Sequence, residues 1–154
     1  MAKKGERSSR ARSLSRRLAL QALYQWQLTG HSSAELLNQF TTDEGYPDVD
    51  ADYFAVLVRG VTGEGEALDE ALGQMIDRPV SQLDPIEHAV LLIGLYEFGH
   101  RLEMPYRVVI NEGVELAKKF GATDGHKFVN AVLDRAGRNL RAAEYAATAK
   151  TARG

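Results

Sequence analysis

The stretch DPIEHAVLLIGLYEFG, residues 84 to 99, decides the fold. Asp84 is an N-cap residue type. Pro85 suits the first helical position, where its missing N–H would find no partner anyway, and Glu87 falls near the positive end of the helix dipole. The interior from Ala89 to Leu95 is apolar nearly all round, so this helix is expected to be buried on every side and central. A central helix needs other helices around it.

Those helices can be read in both directions. Downstream, Pro105 opens a helix that turns Val109, Ile110, Gly113, Val114 and Ala117 inward, pairs Glu115 with Lys119 outward at i,i+4, and stops at Gly121. A last helix starts with Asp124 as N-cap and fades near Gly137, leaving an Ala- and Arg-rich tail over 139–154 that is expected to be frayed. Upstream, helical spacing runs from about residue 12 to 28 and ends at Gly30. Ser32 and Glu35 form a capping box for a short helix through Phe40, and TTDEGYPDVD is a loop. A third helix is expected from near Asp50, with Tyr53, Phe54, Leu57, Val58 and Val61 on its apolar face. TGEGE at 62–66 interrupts it before ALDEALGQMI, and Pro79 ends that segment. No segment sustains period-two alternation, so the fold class is all-α, with about seven helices. The expected organisation is a basic arm over 1–12, one helical domain over 10–140 with lobes at about 12–76 and 80–138, and the tail.

Composition narrows the function classes. A chain of 154 residues with 44 % hydrophobic and 26 % charged residues is one ordinary globular domain, or two small lobes. It has no Cys, which removes disulfides, thiolate metal sites and thiol nucleophiles together. No apolar run reaches the length of a membrane span, and the basic N-terminus is not followed by a cleavable apolar segment, so a cytoplasmic location away from membranes is expected. The net charge of −2 hides a polarity. Residues 1–17 carry Lys3, Lys4, Arg7, Arg10, Arg12, Arg16 and Arg17 against Glu6 alone, a balance of +6 that leaves −8 for the rest. Arginine suits phosphates and base edges better than lysine does.

Two helix faces fit a nucleic-acid surface. On the first helix Ala19, Ala22, Leu23 and Trp26 face one way, while Arg10, Arg17, Gln21 and Tyr24 align on another side at spacings of seven, four and three. Such a stripe suits a single-stranded backbone and its bases. In DGHKFVNAVLD, residues 124–134, Val129, Val132, Leu133 and Ala136 face the core, and Lys127, Asn130 and Asp134 point away. Phe128 lies at the border, sharing its edge with Asp124 and Arg135. That edge fits base stacking with edge hydrogen bonds, but taken by itself this helix fits better a peripheral core phenylalanine after an N-cap.

Catalysis finds little support. His31, His88, His100 and His126 have no ligand spacing such as H-E-x-x-H, there is no G-x-S-x-G elbow, and GVTGEG lacks the Lys-Ser/Thr end of a P-loop. No enzyme activity, cofactor or metal is expected.

RRLALQALYQWQL at 16–28, IEHAVLLIGLYEF at 86–98 and MPYRVVINEGVELAKKFGATDGHKFVNAVLDRA at 104–136, in that order, resemble the NusB family of transcription antitermination factors. The resemblance spans roughly residues 10 to 137 and implies two packed helical bundles. It also implies binding of single-stranded boxA RNA together with NusE, a small-subunit ribosomal protein, in an antitermination complex on ribosomal RNA operons. Other Nus factors and RNA polymerase would be indirect partners. The family's RNA surface falls on the Arg-rich start of the first helix (Arg7, Arg10, Arg12, Arg16, Arg17), on Tyr24, and on Asp124, Lys127 and Phe128. Gln21 and Arg135 come from the helix faces alone. Glu87 would lie on the NusE surface, but Ser81 and Gln82 stand where the enterobacterial pattern has an acidic pair, which leaves the acidic part of that contact incomplete. Two alternatives are a helical protein–protein adaptor without RNA binding, and a NusB-like piece of an RNA cytosine methyltransferase. The second is disfavoured because no Rossmann-like unit or cysteine nucleophile is present.

Overall fold

The computed structural model describes the backbone of residues 4–153 and the side chains of residues 8–150. Within them are eight α-helices and no strand: α1 (Lys4–Thr29), α2 (Ser33–Phe40), α3 (Ala51–Gly63), α4 (Gly65–Gly73), α5 (Pro85–His100), α6 (Tyr106–Phe120), α7 (Gly125–Leu140) and α8 (Ala142–Arg153). The chain divides into two compact units, Met1–Gly65 and Glu66–Gly154.

The first unit packs α1, α2 and α3 together. Leu18, Ala19, Leu20, Ala22 and Leu23 of α1 are buried, as are all five apolar residues expected on the inner face of α3. Gly30, at φ 71, supplies the left-handed residue that ends α1. The capping box holds for α2, where Ser32 Oγ accepts from the Glu35 N–H at 3.1 Å, and at the start of α3 Asp50 Oδ1 accepts from the Tyr53 N–H at 3.1 Å. The hydroxyl of buried Ser15 donates to the Asp50 carbonyl at 2.8 Å and accepts from the Asp50 N–H at 2.9 Å, tying the start of α3 to α1. Helix α1 is longer than expected. Residues 4–12, anticipated as an arm outside the helix, belong to it, because Lys, Glu, Arg and Ala are good helix formers and, beyond Gly5 in the first turn, no Gly or Pro interrupts the run before Gly30.

The second unit is built around α5, which packs against both α6 and α7. Asp84 Oδ1 accepts from the N–H groups of Ile86 and Glu87 at 2.9 and 3.3 Å, and every residue from Ala89 to Leu95 is buried. Leu133 of α7 fills the space between α5 and α6. A Cβ placed at Gly94 or at Gly113 would lie 2.6 Å from one of its methyl groups, so two glycines make the socket for one leucine. Val114, expected inward, is only half-buried, and Leu116 takes its place. Glu115 meets Lys118 at 3.6 Å rather than Lys119. Helix α4 belongs to this unit, which moves the expected lobe boundary from about residue 76 to residue 65. Its Leu68 and Leu72 are buried, and Asp69 Oδ1 lies 2.6 Å from His88 Nε2 of α5.

The tail expected to fray is an ordered helix. Arg141, 6 % exposed, donates to the carbonyls of Phe98, Met104, Glu97 and Arg101 at 2.9, 2.8, 3.2 and 3.1 Å, and to Glu144 Oε1 at 2.7 Å. Two of those carbonyls, Glu97 and Phe98, belong to the last turn of α5, where helical donors run out after the Arg101 N–H that caps Glu97. The Tyr145 ring stacks on Tyr106 with centroids 3.9 Å apart, and its hydroxyl lies 3.1 Å from Asp134 Oδ1. Burial, followed by that hydrogen bond, pushes the Tyr145 phenol up to about 12.

Candidate nucleic-acid interface

On α1 the structure presents much of the expected stripe. Arg10 and Gln21 are exposed, Arg17 is half-buried, and Tyr24 is 38 % exposed. Leu28, one turn beyond Tyr24 and 61 % exposed, extends the same face with an apolar end; the i,i+4 spacing alone would have found it. Arg16 does not join them. It is 2 % exposed, and its guanidinium carbon lies 5.4 Å from the centre of the Tyr53 ring, so it serves the α1–α3 packing. Arg12 approaches the same ring at 5.8 Å and is half-buried. The Arg7 side chain lies outside the described residues.

Sequence reasoning missed what stands beside this stripe. Arg17 and Gln21 line a pocket of about 300 Å³ together with Asp43, Glu44 and Asp48 from the α2–α3 connection. The loop was recognised as a loop, but which face it would cover depends on how α2 packs. An anion approaching Arg17 therefore meets carboxylates as well as a cation.

On the second unit, Asp124, Lys127 and Phe128 share the first turns of α7. Asp124 adopts φ 65, the left-handed region, and its side chain caps nothing. The expected N-cap role is therefore replaced by an exposed contact of 3.3 Å between its carboxylate and the Lys127 ammonium. Aspartate tolerates this conformation better than most residues because its short polar side chain can bond locally. Phe128 is half-buried, as the helix wheel indicated. Its ring carries the guanidinium of Arg78 at 4.4 Å from the centroid, a neighbour far away along the chain that no local pattern announces. Arg135 lines the same pocket as Phe128. However, its Nη1 donates to the Met75 carbonyl at 2.6 Å, so it holds the chain after α4 rather than reaching freely to solvent.

Glu87, expected on a partner surface, is nearly buried. Only 9 % exposed, it is packed so closely on Gly125 that a Cβ there would overlap its Oε1. Burial pushes its carboxyl above the ordinary value of 4.5, nearby Asp84 adds to this, and Arg78 opposes both. Its carboxylate faces its own chain, so it offers a partner little surface.

None of the described residues forms a group of three or more His, Asp or Glu side chains able to hold a metal ion. Three of the four histidines have identified neighbours: Gln25 for His31 at 3.1 Å, Asp69 for His88, and the Tyr96 ring for His100, stacked at 4.7 Å. No described helix is long and apolar enough to cross a membrane.

Comparison with known proteins agrees with this architecture. The NusB family profile matches residues 13–138. The chain is 53 % identical over 132 residues to the transcription antitermination protein NusB of Pseudomonas entomophila, covering 86 % of this chain and 80 % of that protein. It is 52 % identical over 126 residues to the protein of the same name from Idiomarina loihiensis, covering 82 % and 91 % respectively. The solved structure of T. maritima NusB superposes with a TM-score of 0.73 at 23 % identity, over 82 % of this chain and 90 % of that one, and so shares the fold. With a family profile spanning most of its length and relatives at about half identity over more than four-fifths of it, the chain belongs to the NusB family.

Proposed function

We propose that this protein is a transcription antitermination factor that binds single-stranded boxA RNA and acts with NusE in a complex on ribosomal RNA operons. The antitermination role rests on the names of its relatives. The RNA-binding part rests chiefly on one observation: Arg10, Arg17, Gln21 and Tyr24 form a stripe along α1 that reaches solvent while the opposite face is buried. Cations followed by amide and aromatic groups along a groove-sized face suit a flexible anionic strand with stackable bases. Asp124, Lys127 and Phe128 on α7 are proposed as a second set of contacts. The NusE contact is proposed at the start of α5, with exposed Asp84 beside Glu87.

The test is a mobility-shift or anisotropy titration at moderate salt with boxA-like and scrambled RNA. The expected result is preferential binding to the boxA-like strand. Arg10→Ala should weaken it and flatten the log-log salt slope by about 0.7, the share of one phosphate contact on a single strand. Equal, weak binding to both RNAs, or none, would overturn the RNA-binding reading. Retained NusE binding in that case would favour a helical adaptor.

A further inference from the structure

The proposed contact at Phe128 meets a physical obstacle, because its ring already carries the Arg78 guanidinium at 4.4 Å. Arg78 follows α4 by a few residues, in a segment that α7 itself anchors through the Arg135–Met75 bond of 2.6 Å. Arg78, Phe128, Arg135 and Met75 line one pocket of about 230 Å³. The Arg78 side chain is 48 % exposed, and among the described residues it makes no hydrogen bond. Of the carboxylates near it, Asp77 lies 3.8 Å away and is 94 % exposed, and the buried Glu87 carboxyl feels its charge. The contrast with this chain's structural arginines is clear: Arg135 spends a donor on Met75, and Arg141 bonds five acceptors. Arg78 is held against an aromatic ring with its hydrogen-bonding edge unspent.

A base seated directly on Phe128 would have to displace this cation, losing the cation–π contact to gain one stack. A base seated on the guanidinium keeps both. The guanidinium plane is weakly hydrated and stacks on flat π systems, and its edge N–H groups match phosphate oxygens. Building on the RNA-binding reading, we propose that Arg78 is the residue a base of the single-stranded RNA meets on this unit. The base stacks on the guanidinium, an edge N–H of Arg78 donates to a neighbouring phosphate, and Phe128 is the positioning residue beneath.

The test uses the full chain, a labelled single-stranded boxA-like RNA, and the variants Arg78→Ala, Arg78→Lys and Arg10→Ala. Arg78→Ala gives up the contact with Phe128 and the charge near Glu87, so a modest fall in melting temperature is expected and affinities are compared at a temperature where every variant is folded. Arg78→Ala is expected to weaken binding roughly five- to 150-fold, the range of a base–side-chain stack. Arg78→Lys keeps the charge, hence the salt slope, but lacks the plane and should recover little of the lost affinity. Full recovery with lysine would overturn the stacking role. If both Arg78 variants bind like the unaltered chain while Arg10→Ala is weakened, this inference fails and the RNA-binding reading stands. Absence of RNA binding by the unaltered chain would overturn both.

Discussion

The Asp124 carboxylate lies 3.3 Å from the Lys127 ammonium and caps no backbone N–H, although it stands at the residue before α7. Its φ of 65 suits Asn at least as well as Asp, so Asp124→Asn should leave the melting temperature unchanged or slightly raised. The same change removes a negative charge from a face proposed to meet phosphates and releases Lys127. RNA affinity is expected to rise roughly two- to fivefold, the scale of an exposed charge interaction. Asp124→Ala removes the charge too, but a left-handed alanine should cost about 1 to 2 kcal/mol of stability. An Asn variant that binds no better than the parent, measured on folded protein, would remove Asp124 from the RNA surface.

The buried carboxyl of Glu87 makes a pH-dependent prediction. Its folded pKa is raised from 4.5 by burial first and by Asp84 second, so between 4.5 and the raised value the folded state holds more protons than the unfolded one. This group's contribution to stability is therefore most favourable at low pH and declines as pH rises through that window. Glu87→Gln keeps the shape against Gly125 without the charge, so it should melt higher than the parent at pH 7, with the difference shrinking to nothing below pH ~4. A variant that is less stable at pH 7 would mean that the charge is needed at the start of the helix.

Gly113 should not accept a methyl group. The new Cβ would fall 2.6 Å from Leu133 Cδ1 and 3.4 Å from Val90 Cγ1, and Leu133 cannot retreat because Gly94 meets its other methyl. Overpacking of this kind costs about 1 to 3 kcal/mol, and the better helix propensity of Ala returns about 1. Urea titration of Gly113→Ala should show a net loss, and the loss should be smaller in a Leu133→Ala background, where the methyl fills part of a cavity. Additive effects of the two changes would refute the socket.

Arg141 joins α8 to the end of α5, so Arg141→Met should leave the Phe98 and Met104 carbonyls and Glu144 Oε1 without this donor, while the Glu97 and Arg101 carbonyls keep only the N–H groups of Arg101 and Met104. Burial alone would push the Glu144 carboxyl up; the Tyr106 N–H, then Arg141, hold it below 4.5 instead. A loss of roughly 3 to 5 kcal/mol is expected on removing one partner of such a buried charge network. Equilibrium unfolding followed by helicity measures it, and a change below about 1 kcal/mol would show that water replaces Arg141 easily.

The sequence by itself determined most of the helices and several of their ends, because those depend on neighbours within one turn. Asp50 and Asp84 cap as their positions required, Gly30 stops α1 in the left-handed region, and the all-apolar run from Ala89 to Leu95 has to be surrounded. Periodicity also placed Phe128 at the edge of its core face and turned Gln21 and Tyr24 to solvent. Only the tertiary structure decided which cations remain available. Arg10, Arg16 and Arg135 are the same residue in sequence, but one is exposed, one is buried against Tyr53, and one is bonded to a carbonyl 60 residues away. The same holds for Asp124, Glu87 and the tail. A turn's φ, the close approach of two helices at Gly125, and a buried arginine's acceptors all arise from chain segments far apart in sequence, whose meeting is set by packing of the whole unit.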